Sequence, residues 1–148
     1  MKLERIGLIG YGEVGKIFCA GLLKQPGVTG VGAWDLKFAQ AATQATERAH
    51  AAQAGIDAHS CMQALCEDSE LILSAVTASA TLAVAQEAAA FIRPGTIFLD
   101  LNSASPGTKQ QAATLIEAAG GHYVEAGVMT SVPPYGIKVP MLLGGVRA

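Results

Sequence analysis

The chain has 148 residues, 51% of them hydrophobic, a net charge of −2 and three cysteines. That length suits one domain spanning residues 1–148 with a sizeable core. Ten scattered Lys and Arg against twelve Asp and Glu exclude the clustered basic surface of a nucleic-acid binder, and Cys19, Cys61 and Cys66 fit neither a disulfide framework nor a paired metal or redox spacing, so they read as packing thiols of a reducing compartment.

The N-terminal "MKLERIGLIG" carries charges and only a short apolar run, which reads as a strand, Arg5–Ile9, rather than a signal peptide. No later run reaches the roughly 20 apolar residues of a membrane span, so the expected location is cytoplasmic and no membrane partner is expected. From Glu13 to Lys24 the apolar residues Val14, Ile17, Phe18 and Leu22 recur at helical spacing, and "QPG" stops the helix. A second strand covers Val28–Trp34 and ends at Asp35. Ala-rich Phe38–Gln53 predicts a helix with Gly55 as its C-cap. Ile56–His59 gives a short third strand, and Ser60 is placed to cap a brief helix through Cys66. Leu71–Val76 is a fourth strand, Ser79–Ile92 a helix stopped by "RPG", and Thr96–Leu101 a fifth strand. Ser105 as N-cap and Pro106 at the first helical position open a helix through Ala119. Tyr123–Val128 and Val139–Leu143 complete the set as strands six and seven. Strands that are continuous apolar runs, alternating with helices, predict an α/β fold: a doubly wound, mainly parallel sheet with helices on both faces.

"GLIGYGEVG" contains Gly10, Gly12 and Gly15 in the spacing G-x-G-x-x-G, between a predicted strand and a predicted helix. In that setting Gly10 makes the tight turn, Gly12 lets backbone approach a pyrophosphate, and Gly15 lets the helix pack closely on the strand. The free amides of the first helical turn then face the phosphates. Asp35 follows Gly15 by 20 residues at the end of the second strand, where a carboxylate can accept hydrogen bonds from the adenosine ribose. Its charge opposes a 2′-phosphate, so NAD is favoured over NADP; Lys37, two residues on, is the group that could pair with such a phosphate. Glu13 is expected to turn away from the phosphates and cap the helix. Ligands of open α/β sheets bind beyond the carboxyl ends of the strands, which brings Val76 and Thr77 from "SAVTASA" and Asn102 and Ser103 from "DLNSASPGT" to the same crevice. Ser105 reads as a helix cap only. Thr130 and Ser131 in "EAGVMTSVPPYG" offer hydroxyls over it.

Taken in order, "GLIGYGEVG", "DLNSASPGT" and "YVEAGVMTSVPPYGIKVPMLLGG" resemble the N-terminal, Rossmann-like domain of the β-hydroxyacid dehydrogenase superfamily, which includes 6-phosphogluconate and 3-hydroxyisobutyrate dehydrogenases. The resemblance covers essentially the whole chain. It implies an NAD(P)-dependent oxidoreductase that moves a hydride between the nicotinamide and a small β-hydroxyacid-like substrate. It assigns Gly10, Tyr11, Gly12, Glu13 and Val14 to the pyrophosphate, Asp35 to the adenosine ribose, Val76 and Thr77 to the cofactor, and Ser103 to a hydroxyl near cofactor and substrate. Met129, Thr130 and Ser131 stand where the family pattern has Ser-Gly-Gly gripping a substrate carboxylate, so recognition of that carboxylate must differ here.

The family's general acid/base is a lysine on a helix of a second, all-helical domain, which also makes the homodimer. That domain is expected beyond these 148 residues, so no catalytic residue is assigned in this chain, which is expected to be inactive alone. Lys138 and Tyr135 are the local candidates, with Lys138 read as a loop residue. Two alternatives stay open at this stage: the cofactor domain of an imine reductase, and a regulatory module that binds NAD without chemistry. No metal site is expected.

Overall fold

The computed structural model describes residues 3–128 and 141–144. Strand β1 (Arg5–Ile9) is the centre of the architecture. It is followed by α1 (Glu13–Leu23), β2 (Gly30–Trp34), α2 (Gln44–Ala54), β3 (Asp57–Ala58), α3 (Met62–Glu67), β4 (Leu71–Ser74), α4 (Thr81–Ala89), β5 (Ile97–Asp100), α5 (Pro106–Ala118), β6 (His122–Val128) and β7 (Met141–Gly144). These strands form one sheet in the order β3-β2-β1-β4-β5-β6-β7. Pairing is parallel from β3 through β6, and β7 runs antiparallel to β6. The chain moves outward from β1 to β3, then returns to build β4, β5 and β6 on the other side. With the right-handed crossovers of parallel sheets, that reversal puts α1 and α2 on one face and α3, α4 and α5 on the other.

The central strands are buried on both faces, which is why they read as unbroken apolar runs: Ile6, Leu8, Ile9, Val31, Ile72, Leu73 and Phe98 are all core residues. Helix ends follow local chemistry. Ser105 Oγ accepts from the Thr108 amide at 3.3 Å, with Pro106 in the first turn of α5. Gly55 closes α2 in the left-handed conformation at φ 77°, its amide reaching the carbonyls of Ala51 and Ala52.

Three expectations need correction. The helix expected over Phe38–Gln53 is a 3-10 turn at Leu36–Phe38, an irregular stretch, and then α2 from Gln44. One cause is local and one tertiary: Asp35 Oδ1 accepts from the Lys37 amide at 2.9 Å and starts the turn, and the buried Phe38 anchors it in the core. Before α3 the capping position belongs to Cys61 rather than Ser60, with the Sγ accepting from the Ala64 amide at 3.5 Å. Cys61 is also exposed, unlike the buried Cys19 and Cys66.

Candidate functional site: a crevice where the strand order reverses

The carboxyl ends of β1, β2 and β4 open onto one crevice of about 590 Å³, within the range of small-molecule sites. Its floor is the turn after β1, where the three glycines do different work. Gly10 has φ +105°, and a Cβ there would collide with the Ala75 carbonyl oxygen. A Cβ on Gly15 would collide with the Gly10 carbonyl oxygen, so this glycine seats α1 against the turn. Gly12 is neither strained nor crowded: its φ is −88° and a Cβ would meet nothing within 4 Å. Backbone and packing would both accept a side chain at Gly12, so the space beside it is open for something that is not protein.

Gly12 is the N-cap of α1, and no side chain caps the helix. The first-turn amides of Glu13 and Val14 therefore have no helical partner and carry the positive end of the helix dipole. Glu13 lines the crevice and no side-chain hydrogen bond caps the helix, so the expected capping role is overturned. Tyr11 also differs from its sequence reading. Its ring is fully buried behind the turn against Phe38, its hydroxyl shares a 2.7 Å hydrogen bond with His50 Nδ1, and its amide donates to Asp35 Oδ2 at 2.7 Å. Burial, followed by the neighbouring Cys19 thiol and the Glu47 carboxylate, pushes the Tyr11 phenol up to about 12.

Asp35 lies half-buried at the crevice wall, with Oδ2 on the Tyr11 amide and Oδ1 on the Lys37 amide. Two backbone donors hold the carboxylate plane fixed and leave one lone pair on each oxygen for a ligand diol. Leu36 beside it is 67% exposed, the exposed large hydrophobic of the described residues. Met62, Ala80, Ala83, Val84 and Glu87 line the same crevice. The sequence reading missed these five residues and Leu36. Mostly apolar residues scattered over two short turns and two helices look like core until the crevice between them is seen.

Val76 and Thr77 line the wall on the β4 side. Asn102, expected close to a ligand, is instead a buried strut. Its Oδ1 accepts from the Val76 amide at 2.7 Å, its Nδ2 donates to Ser74 Oγ at 3.0 Å, and its amide donates to Asp100 Oδ1 at 2.8 Å. Asp100 in turn accepts from the Tyr123 hydroxyl at 2.6 Å, and burial together with that carboxylate raises the Tyr123 phenol. Ser103 is exposed just beyond this strut and does not line the described crevice. Met129, Thr130, Ser131, Tyr135 and Lys138 lie outside the described residues. Among the described residues no group of three or more His, Cys, Asp or Glu could hold a metal ion, and no helix is long and apolar enough to cross a membrane.

A parallel sheet that reverses its order at β1 and β4, a glycine turn with an open Gly12, a bare helix N-terminus and a fixed carboxylate at the end of β2 together define a dinucleotide-binding domain. Residues 5–133 match the family described as the NAD binding domain of 6-phosphogluconate dehydrogenase. The chain belongs to that family, and its cofactor is NAD(P). Among solved structures it is similar to a conserved hypothetical protein from Sinorhizobium meliloti 1021 (37% identity, TM-score 0.92, covering 100% of this chain and 48% of that one). Two others share the fold: a Mycobacterium tuberculosis 3-hydroxyisobutyrate dehydrogenase with L-serine (21% identity, TM-score 0.81, 97% and 47% covered), and an Aspergillus terreus reductive aminase with NADPH4, cyclohexanone and allyl amine (21% identity, TM-score 0.73, 99% and 49% covered). The chain thus spans about half the length of these proteins. No curated protein matches it.

Proposed function

We propose that this chain is the cofactor half of an NAD-preferring oxidoreductase acting on a small β-hydroxyacid-like substrate. The observation that carries the cofactor part is the vacant Cβ position of Gly12, set between the unpartnered amides of α1 and the fixed carboxylate of Asp35. In this reading the first-turn amides of α1, at Glu13 and Val14, hold the pyrophosphate over Gly10 and Gly12, and Tyr11, bonded through its amide and carbonyl to Asp35 and Lys37, supports the turn from behind. Asp35 accepts from the ribose hydroxyls, and Val76 and Thr77 support the cofactor on the β4 side. Ser103 and the segment Met129, Thr130 and Ser131 face the substrate. Removing a hydroxyl's proton and a carbon-bound hydride needs a base as well as the hydride acceptor that the nicotinamide ring supplies when bound. Glu13, Asp35 and Glu87 are the carboxylates lining the described crevice, and no lysine, histidine or tyrosine lines it. The acid/base therefore belongs outside this part of the site, as the family resemblance implies, and a homodimer through a further helical region fits the same reading. Cytoplasmic location is part of the proposal.

A second reading is supported by the shared fold with a reductive aminase and by Met129 in place of a small hydroxyl residue: reduction of a C=N bond. Turnover of a cyclic imine, with none of hydroxy acids, by the whole protein would favour it. A regulatory NAD-binding module would show cofactor binding and neither activity.

Gly12→Val tests the cofactor site. The side chain would enter space that is open in the folded chain, so binding of NAD should disappear while the thermal midpoint moves by no more than about 4 °C. Titration with NADH fluorescence beside a thermal melt reads both. Normal binding by this variant would overturn the site assignment.

A further inference from the structure

Behind the glycine turn, on the side away from the crevice, two lysines converge on one carboxylate. Lys37 Nζ donates to the Tyr11 carbonyl at 3.0 Å and lies 3.6 Å from Glu47 Oε1. Lys16 Nζ, from α1, lies 3.2 Å from Glu47 Oε2 and 5.4 Å from the centre of the Tyr11 ring. Glu47 is a first-turn residue of α2 and its side chain is only 15% exposed. Lys37 follows Asp35 by two residues, and its own amide is bonded to the Asp35 carboxylate. It is thus a cation carried at the end of β2, where a ribose 2′-substituent would sit, with its side chain drawn back under the turn.

We infer that Glu47 sets the choice between NAD and NADP by holding Lys37 away from the crevice, leaving Asp35 as the charge that meets the ribose. This rests on the proposal that the crevice binds a nicotinamide dinucleotide. The electrostatics are one-directional. With Glu47 in place, Lys37 has a carboxylate and a carbonyl as partners, and a 2′-phosphate would have to replace both while facing Asp35. Without Glu47, Lys16 and Lys37 repel each other across the vacated position, and the flexible stem of Lys37 can turn toward an added phosphate. Glu47 is a positioning residue and touches no ligand itself.

The test uses the 148-residue chain with NAD and NADP titrated separately against the wild type, Glu47→Ala, Lys37→Met and the double variant. Alanine keeps helix propensity in α2, and Glu47→Gln, which keeps the volume, replaces it if a thermal melt shows the alanine variant unfolded. Glu47→Ala should shift the ratio of the two dissociation constants toward NADP by at least about fivefold. The double variant should lose that shift. Lys37→Met alone should leave the ratio where the wild type has it, even if both affinities move together. A purely structural role for Glu47 would weaken both nucleotides in parallel and leave the ratio unmoved, which overturns the inference. So does a shift that survives in the double variant, or a drop in NADP binding alone in Lys37→Met. A wild-type chain that binds neither nucleotide defeats the cofactor proposal itself, and this inference falls with it.

Discussion

Gly12 and Gly15 carry the same side chain for opposite reasons. Gly15 is fixed by the protein, since a methyl group would press into the Gly10 carbonyl. Gly12 is fixed by nothing in the folded chain. Gly15→Ala should therefore cost about 1–3 kcal/mol of stability as an overpacked contact against backbone, whereas Gly12→Ala should stay within about 1 kcal/mol. Denaturant unfolding of the two variants measures this, and equal losses would show that the turn treats both positions alike. Asp35 also has two duties. Its carboxylate pins the Tyr11 and Lys37 amides as well as facing the crevice. A substitution there would loosen the turn together with the ribose contact, so Asp35→Ala is a poor isolated probe of cofactor binding.

At the level of elements, α1 and α3 each bury a thiol. Cys19 and Cys66 are both pushed by burial from 9 up to about 12, and Tyr11, beside α1, rises from 10 to about 12. Each of these acids is held neutral in the fold and ionises more easily once unfolded. Their stabilising contribution is complete below pH 9 and is lost as pH rises from 9 toward 12. Urea midpoints should fall across that window, and a midpoint that rises would contradict the burial argument. A thiol reagent at pH near 8 should label Cys61 quickly and the other two only on unfolding. What was legible in the sequence also divides by element. Arg5–Ile9 and Pro106–Ala118 could be read because their signals are local: an apolar run closed by Gly10, and Ser105-Pro106 at a helix start. That Gly10, Gly12, Glu13, Val14, Asp35, Val76 and Thr77 border one crevice was legible because a motif and a strand-end rule name those positions, whereas the burial of Tyr11 behind the turn was not. The break between Leu36 and Gln44 was not, because it depends on Asp35 being held by the distant Tyr11 amide and on Phe38 entering a core built by distant segments. The same holds for Asn102, whose partners lie 26 and 28 residues earlier in the chain.

For the whole molecule, the division of labour matters most. The described crevice offers hydrogen-bonding backbone, one oriented carboxylate and apolar walls, which serve binding, and no lysine, histidine or tyrosine to move a proton. The 148-residue chain alone is expected to bind NAD and to show no hydride transfer with a panel of β-hydroxy acids, followed by NADH absorbance. Appreciable turnover would refute that expectation, and its loss in Lys138→Met would assign the base to Lys138.

The Asn102 strut has a thermodynamic corollary. By tying the Val76 amide to the end of β5 through a buried amide side chain, it fixes one wall of the crevice during folding. The conformational entropy of that wall is already lost before any nucleotide arrives. On that wall a ligand meets a surface that needs no ordering, so this part of the crevice takes nothing from its affinity as a cost of assembly.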